Sequence, residues 1–308
     1  MKWPKNSLLL IALFLQLTTC FAQDSLLLFE TKAHLKTLSS DEMEGRKAGT
    51  EGYLKAVTYI KAVLKSQQIQ PFFNGSYTES VYVGNQYAPN VIGIIPGSSD
   101  EFIVLGAHLD HIGTEANRIF NGANDNATGV VTLIQIAKHL KQQLTNQKKT
   151  IIIVFFTAEE LGLWGSKFFA EHLHRNQLAP EYMLNFEMLG QPISRKKKRK
   201  VYLLGKRYTN LDEELEKLYS EPFIETLRKD WMSNVFKRSD NYSFHNTFPD
   251  CPSLTFITFN GNTNYRHYHK HTDTYKQLDV EHLHELIKKL AMGIEYLLKE
   301  DITVIKES

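Results

Sequence analysis

Residues Thr150 to Thr157 read TIIIVFFT, an almost unbroken run of β-branched and aromatic side chains. A strand with this composition has no polar face, so both of its sides must be covered. Helices packed on the two faces of a sheet meet that need, and the rest of the sequence supplies them. Phe102–Leu105 is a second fully apolar strand segment, and Asn90–Ile95 is a third, stopped by Pro96-Gly97. Tyr182–Phe186, Val201–Leu204 and Ser253–Phe259 complete the set. Helical spacing of apolar residues runs from Ser25 to Lys65, with Leu54, Val57, Ile60 and Leu64 on one face and Gly49 and Gly52 bracketing the start of that helix. It recurs over Val130–Leu144, Ser166–Leu173, Leu211–Tyr219 and Val280–Leu298. Strands alternating with helices predict a three-layer α/β sandwich around a mixed, mostly parallel central sheet.

The first residues read as an address. Lys2 and Lys5 precede the apolar run Leu8–Leu17, and Cys20-Phe21-Ala22-Gln23 follows. This is the layout of a secretory signal peptide over residues 1–22, cleaved after Ala22, and the run is too short to span a bilayer. Export to the periplasm or the medium is the expectation. Leu17-Thr18-Thr19-Cys20 also resembles a lipoprotein acylation box, which gives a lipid anchor at Cys20 as the lesser alternative. Residues 23–308 carry no Pro- or Ser-rich spacer and no repeat, and are expected to form one domain. No later stretch approaches the ~20 apolar residues of a transmembrane helix.

Charge excludes one class of partner. The chain has 36 Lys and Arg against 34 Asp and Glu, and the excess of two is Lys2 and Lys5. A neutral mature chain has no overall field for nucleic acid. Once Cys20 is removed, Cys251 stands alone, so no internal disulfide is expected. The run Arg195–Lys200 is read as a solvated hairpin tip.

Acids and histidines gather where strands end. His108, Asp110 and His111 follow Phe102–Leu105, and Asn121–Asn126 opens a helix. Glu159 and Glu160 follow the TIIIVFFT strand, Glu187 follows Tyr182–Phe186, and His267, His269, His271 and Asp273 follow the last strand. Singly these are ordinary turn and helix-start residues. Ligands of open α/β sheets bind at carboxyl ends of strands, so the joint pattern points to a metal site. Imidazoles with carboxylates and no thiolate suit zinc in hydrolytic chemistry. Two zinc ions carry four positive charges, balanced by Asp125, Glu160, Glu187 and one hydroxide.

The segments GAHLDH, NGANDNATGV, AEELGLWGS, NFEMLG and YHKHTDT, in this order, resemble the M28 family of zinc aminopeptidases. Leu38–Arg46 with Gly49-Thr50 is similar to the N-terminal segment of its secreted bacterial members. The resemblance implies two zinc ions and peptide substrates. It makes His108 a ligand of the first zinc, with Asp110 orienting the imidazole, and Asp125 the bridging carboxylate. Glu160 and His269 become ligands of the second zinc and Glu187 the remaining ligand of the first. Glu159 becomes the general base, while Asp273 stands behind the ligands. His269 is chosen over His267 and His271 by its four-residue step to Asp273. Many members have Asp where this chain has Glu187, which adds a methylene at the first site. A glutaminyl cyclase with one zinc on a similar fold, and a secreted binding protein that has lost catalysis, are the competing readings. Gly162-Leu163-Trp164-Gly165-Ser166 looks more like the peptidases. Trp164, Tyr265 and Tyr268 are candidates for a side-chain pocket, and Ser239-Asp240-Asn241-Tyr242 resembles a family segment of unassigned role.

Overall fold

The computed structural model describes residues 24–227, 234–261 and 264–304. The segment expected to be an export signal, its expected cleavage point and Cys20 lie outside the described residues. The main elements in chain order are α1 (Glu51–Ser66), β1 (Asn90–Ile95), β2 (Phe102–His108) and α2 (Thr128–Gln143). They continue with β3 (Thr150–Phe156), α3 (Trp164–Arg175), β4 (Met183–Glu187), β5 (Val201–Leu204), β6 (Ser253–Ile257) and α4 (Val280–Lys299).

These strands form one mixed sheet in the order β1-β3-β2-β4-β6-β5, with the short strands Gln70–Pro71 beside β1 and Ile224–Glu225 beside β5. The centre is parallel: β2 pairs with β3 and with β4, and β4 with β6. β1 runs antiparallel to β3, and β5 antiparallel to β6. The sheet is covered on both faces, as the composition of β3 demands. Ile151, Ile153 and Phe155 pack with Ile60, Leu64, Val130, Ile134 and Leu290 of α1, α2 and α4. Ile152, Val154 and Phe156 point the other way, into a cluster with Phe169 and Leu173 of α3 and with Phe244. Each such side chain, taken fully out of water, contributes about 1.5–3 kcal/mol.

Two expectations change. The helical pattern of Ser25–Lys65 is two helices, residues 24–38 and α1, separated by a 3₁₀ turn at Asp41–Arg46. Gly45 (φ 69°) and Gly49 (φ 82°) adopt left-handed backbone in the break, and Thr50 caps α1 by accepting from the N–H of Tyr53. The buried stripe of α1 includes Tyr53, Ala56, Val57, Ile60 and Leu64, which leaves Leu54 37% exposed. The basic run is largely exposed and leads into a strand, as expected, but it is not a hairpin tip. It precedes β5, which is separated from β4 by β6, and Lys197 and Lys200 both pair with Glu225. Among the described residues no helix is long and apolar enough to cross a membrane.

Candidate metal centre

Parallel pairing in register brings the carboxyl ends of β2, β3 and β4 to one edge of the sheet. His108 ends β2 and Glu187 ends β4, while the turn Thr157–Leu163 after β3 carries Glu159 and Glu160. Asp125 lies in the tight turn ahead of α2, and His269 on the loop after β6. Ala158 (φ 51°), Met188 (φ 46°) and His269 (φ 54°) are non-glycine residues in the left-handed region. Each lies at or next to an acid or imidazole of the cluster, where strained backbone is held only by strong surroundings.

Asp125 is the hub. Its Oδ1 lies 3.4 Å from Nε2 of His108, and its Oδ2 lies 3.1 Å from Nε2 of His269. The same His269 nitrogen is 3.1 Å from Oε2 of Glu160. Tyr268 stacks on the His269 ring with centroids 3.9 Å apart. Of the other loop histidines, His267 bonds to the Thr272 hydroxyl and His271 packs edge-on to Phe120. Glu187 is buried and accepts from the hydroxyl of Ser239, which gives the Ser239–Tyr242 segment a place beside the site.

A layer of backbone contacts fixes these groups. Asp273 accepts the N–H groups of Asn124 (2.8 Å) and Asp125 (3.1 Å), and the Tyr265 hydroxyl donates to it. Tyr265 therefore serves the scaffold, while Trp164 is 52% exposed and does not line the cavity described below. Asp110 contacts His108 through its backbone carbonyl, 3.2 Å from Nδ1. Its carboxylate, 3.9 Å from that nitrogen, instead accepts from the N–H groups of Glu159 (3.0 Å) and Glu160 (3.3 Å). Sequence reasoning had no role for Arg46. It is buried, and its guanidinium donates to the carbonyls of Leu38, Leu109, Asn121 and Gly122, tying the His108 and Asp125 loops together. Carbonyl acceptors leave no trace in residue identity, so this contact had no sequence signal. His111 is the other omission: its Nδ1 sits 2.7 Å from Oε1 of Glu160.

The electrostatics call for positive charge. Burial pushes the Asp110 and Glu187 carboxyls up to about 7 and Asp240 up to about 6. Burial also holds Glu159 well above the usual carboxyl range. For His269 burial opposes the charged form, but hydrogen bonds to Asp125 and Glu160 outweigh it and raise the imidazole to about 10. Asp125 shows the reverse balance: His108 and His269 overcome its burial and hold it below the usual range.

A divalent cation fits this donor set. The His108 Nδ1 contact with a carbonyl places the ring proton there and leaves the Nε2 lone pair facing Asp125. That Nε2 is buried without a hydrogen-bond partner among the described residues. Nitrogen and carboxylate oxygen donors without sulfur suit zinc. Beside the cluster opens a cavity of about 920 Å³, bounded by Asp125, Glu159, Glu160, Glu187 and His269. Leu163, Met188, Phe259 and Tyr268 give it an apolar wall.

Fold and cluster together define a three-layer α/β sandwich with a cation-binding cluster at the carboxyl edge of its sheet. Residues 90–293 match the model of peptidase family M28, well over half of the chain, and the chain belongs to that family. It is 29% identical over 170 residues to leupeptin-inactivating enzyme 1 of Streptomyces exfoliatus, a match covering 54% of this chain and 36% of that protein. The chain spans less than half the length of the curated relatives it matches. In fold it is similar to the LapA aminopeptidase of Legionella pneumophila (TM-score 0.71, 19% identity, 90% of this chain and 75% of the other). It is also similar to the glutaminyl cyclase of Tannerella forsythia (TM-score 0.66, 18% identity, 87% of this chain and 98% of the other).

Proposed function

We propose that the chain is an exported zinc-dependent exopeptidase that removes residues from the N-terminus of peptides. The observation that carries this is the divergence of two adjacent acids. Both line the cavity, but Glu160 is engaged by His111 and His269, whereas Glu159 makes no ion-pair contact with a histidine among the described residues. One acid is thus placed to hold metal and the other to handle protons. His108, Asp125 and Glu187 would hold one zinc, and Asp125, Glu160 and His269 a second. Bound zinc supplies Lewis-acid polarisation of the scissile carbonyl and acidifies a water molecule.

The protein's own groups do the rest. Glu159 takes the proton from the attacking water and passes it to the departing amine. A general base must be ionised, and burial opposes that in Glu159. Positive charge in the neighbouring cluster reverses the balance, which couples base strength to metal binding. The carboxylates of Asp125 and Glu160 meet the free α-amine of the substrate, and the apolar wall takes the first side chain. Lys2, Lys5 and the Leu8–Leu17 run support export, with a lipid anchor at Cys20 the second use of that segment.

A second reading has a specific support: the Tannerella forsythia cyclase shares the fold. Aminoacyl fluorogenic substrates, with and without chelator and added zinc, test the first reading. Zinc-dependent release of the fluorophore is expected. Cyclisation of N-terminal glutaminyl peptides without release from other residues would replace it with the second.

A further inference from the structure

We propose that His111 is a further metal ligand, on the Oδ2 side of Asp125. The inference rests on the zinc reading above and adds a residue to it. His111 is fully buried three residues beyond His108, and its N–H donates to the carbonyl of Arg46, so its backbone is fixed. Its Nδ1 lies 2.7 Å from Glu160 Oε1 and 3.8 Å from Asp125 Oδ2. His111, Asp125 and Glu160 each bring a donor atom within 4.8 Å of the others, the spacing of a metal-holding group. His269 completes the ring through its 3.1 Å contacts to the same two carboxylates.

Tetrahedral zinc on nitrogen and oxygen donors sets neighbouring donors about 3.3–3.6 Å apart. The four separations here, 2.7 to 3.8 Å, bracket that value. The ring's other nitrogen, Nε2, has no partner among the described residues, so Nδ1 is the atom through which His111 makes its polar contacts. The His111 and His269 rings meet edge to face at 5.9 Å, which lets both nitrogens approach Asp125 Oδ2 without a ring clash.

The consequence is an asymmetric pair of sites. The Oδ2 side has four protein donors: His111, Asp125, Glu160 and His269. The Oδ1 side has three: His108, Asp125 and Glu187, the last also held by Ser239. A closed four-donor site retains its ion, while a three-donor site keeps a position open for water or substrate. The ion on the His111 side should therefore be the last to leave.

The test titrates zinc-loaded protein with chelators of graded affinity, following zinc per chain by elemental analysis. In parallel, one equivalent of cobalt(II) is bound and its visible spectrum recorded. Wild type should release two ions at separate chelator strengths. His111→Asn keeps an amide nitrogen near the Nδ1 position but removes the imidazole. It should lower the affinity of the later ion at least about tenfold and change the one-equivalent cobalt spectrum. Unchanged release and an unchanged spectrum would reduce His111 to a hydrogen-bond partner of Glu160 and overturn the proposal. Should the variant fail to fold, wild type loaded with one equivalent of ¹¹³Cd decides the matter. Scalar coupling from ¹¹³Cd to His111 Nδ1 is expected, and coupling to His269 without it would contradict the assignment. Wild type that binds no zinc would fail the zinc reading itself, an outcome distinct from either.

Discussion

A buried histidine and a half-buried one, shifted in opposite directions, show what the carboxyl edge of the sheet is built for. His282 in α4 is as buried as His108 and His111, and burial depresses it to about 4. It accepts a hydrogen bond from the N–H of Arg199 at 3.0 Å, with Lys198 and Arg199 nearby to oppose a charge. His269 is less buried, and Asp125 and Glu160 raise it to about 10 against the effect of burial. A buried imidazole left to itself is neutral. His269 departs from that rule because it is packed against two carboxylates. The cluster is thus a place that favours positive charge, and the surroundings of His282 are a place that opposes it.

The contrast is open to attack, most strongly by removing metal. Chelation should abolish peptidase activity, and re-addition of zinc should restore it. Unfolding monitored by calorimetry should show a loss of about 3–4 kcal/mol when zinc has been present at 100 to 1,000 times its Kd. An unchanged transition would mean that the acids do not select a cation. Next in size, Glu159→Gln should lower kcat about 10²–10⁴-fold while zinc content stays at the wild-type value. Loss of zinc together with activity would make Glu159 a ligand instead of the base.

A smaller effect is expected behind the ligands. Asp273 holds the backbone of Asn124 and Asp125, so Asp273→Asn should weaken zinc binding about 10–100-fold with the fold intact, read by competition with a zinc-sensitive dye. Equal affinity in the variant would show that the Asp125 turn is rigid without it. A last test lies in α4, away from the acid cluster. The depressed His282 contributes stability that is present above its unfolded value of about 6.5 and is lost as pH falls toward about 4. That difference is worth about 3 kcal/mol. His282→Asn should flatten this part of the pH dependence in urea unfolding, and a variant as acid-sensitive as wild type would remove His282 from the explanation.

The same comparison explains what could be read from sequence. The fold was legible because burial on both faces writes itself into composition, as in Ile151–Phe156. His108, Asp125, Glu159, Glu160, Glu187 and His269 were legible because strands deliver them to one edge at recurring positions. Residues that act through the backbone were not. Arg46 reaches four carbonyls on three segments, and a carbonyl is the same in every residue. His111 lay within a segment already singled out, but its partner Glu160 is 49 positions away, and only the folded chain shows the two 2.7 Å apart. The start of α1 was legible from Gly49 and Gly52, which bracket it, but the end of the preceding helix at residue 38 was not, because the apolar pattern continues past it. Gly49 proved to need left-handed backbone, as did Gly45, which the apolar pattern had not marked.

The central claim is that these residues make a metal-dependent machine for N-terminal hydrolysis. Mass spectrometry of products from zinc-loaded protein tests it most directly, using one peptide series with free, acetylated or glutaminyl N-termini. The account predicts stepwise loss of the first residue from free peptides, none from acetylated ones, and complete dependence on Glu159. Loss of ammonia from the glutaminyl peptides with every peptide bond intact would contradict it.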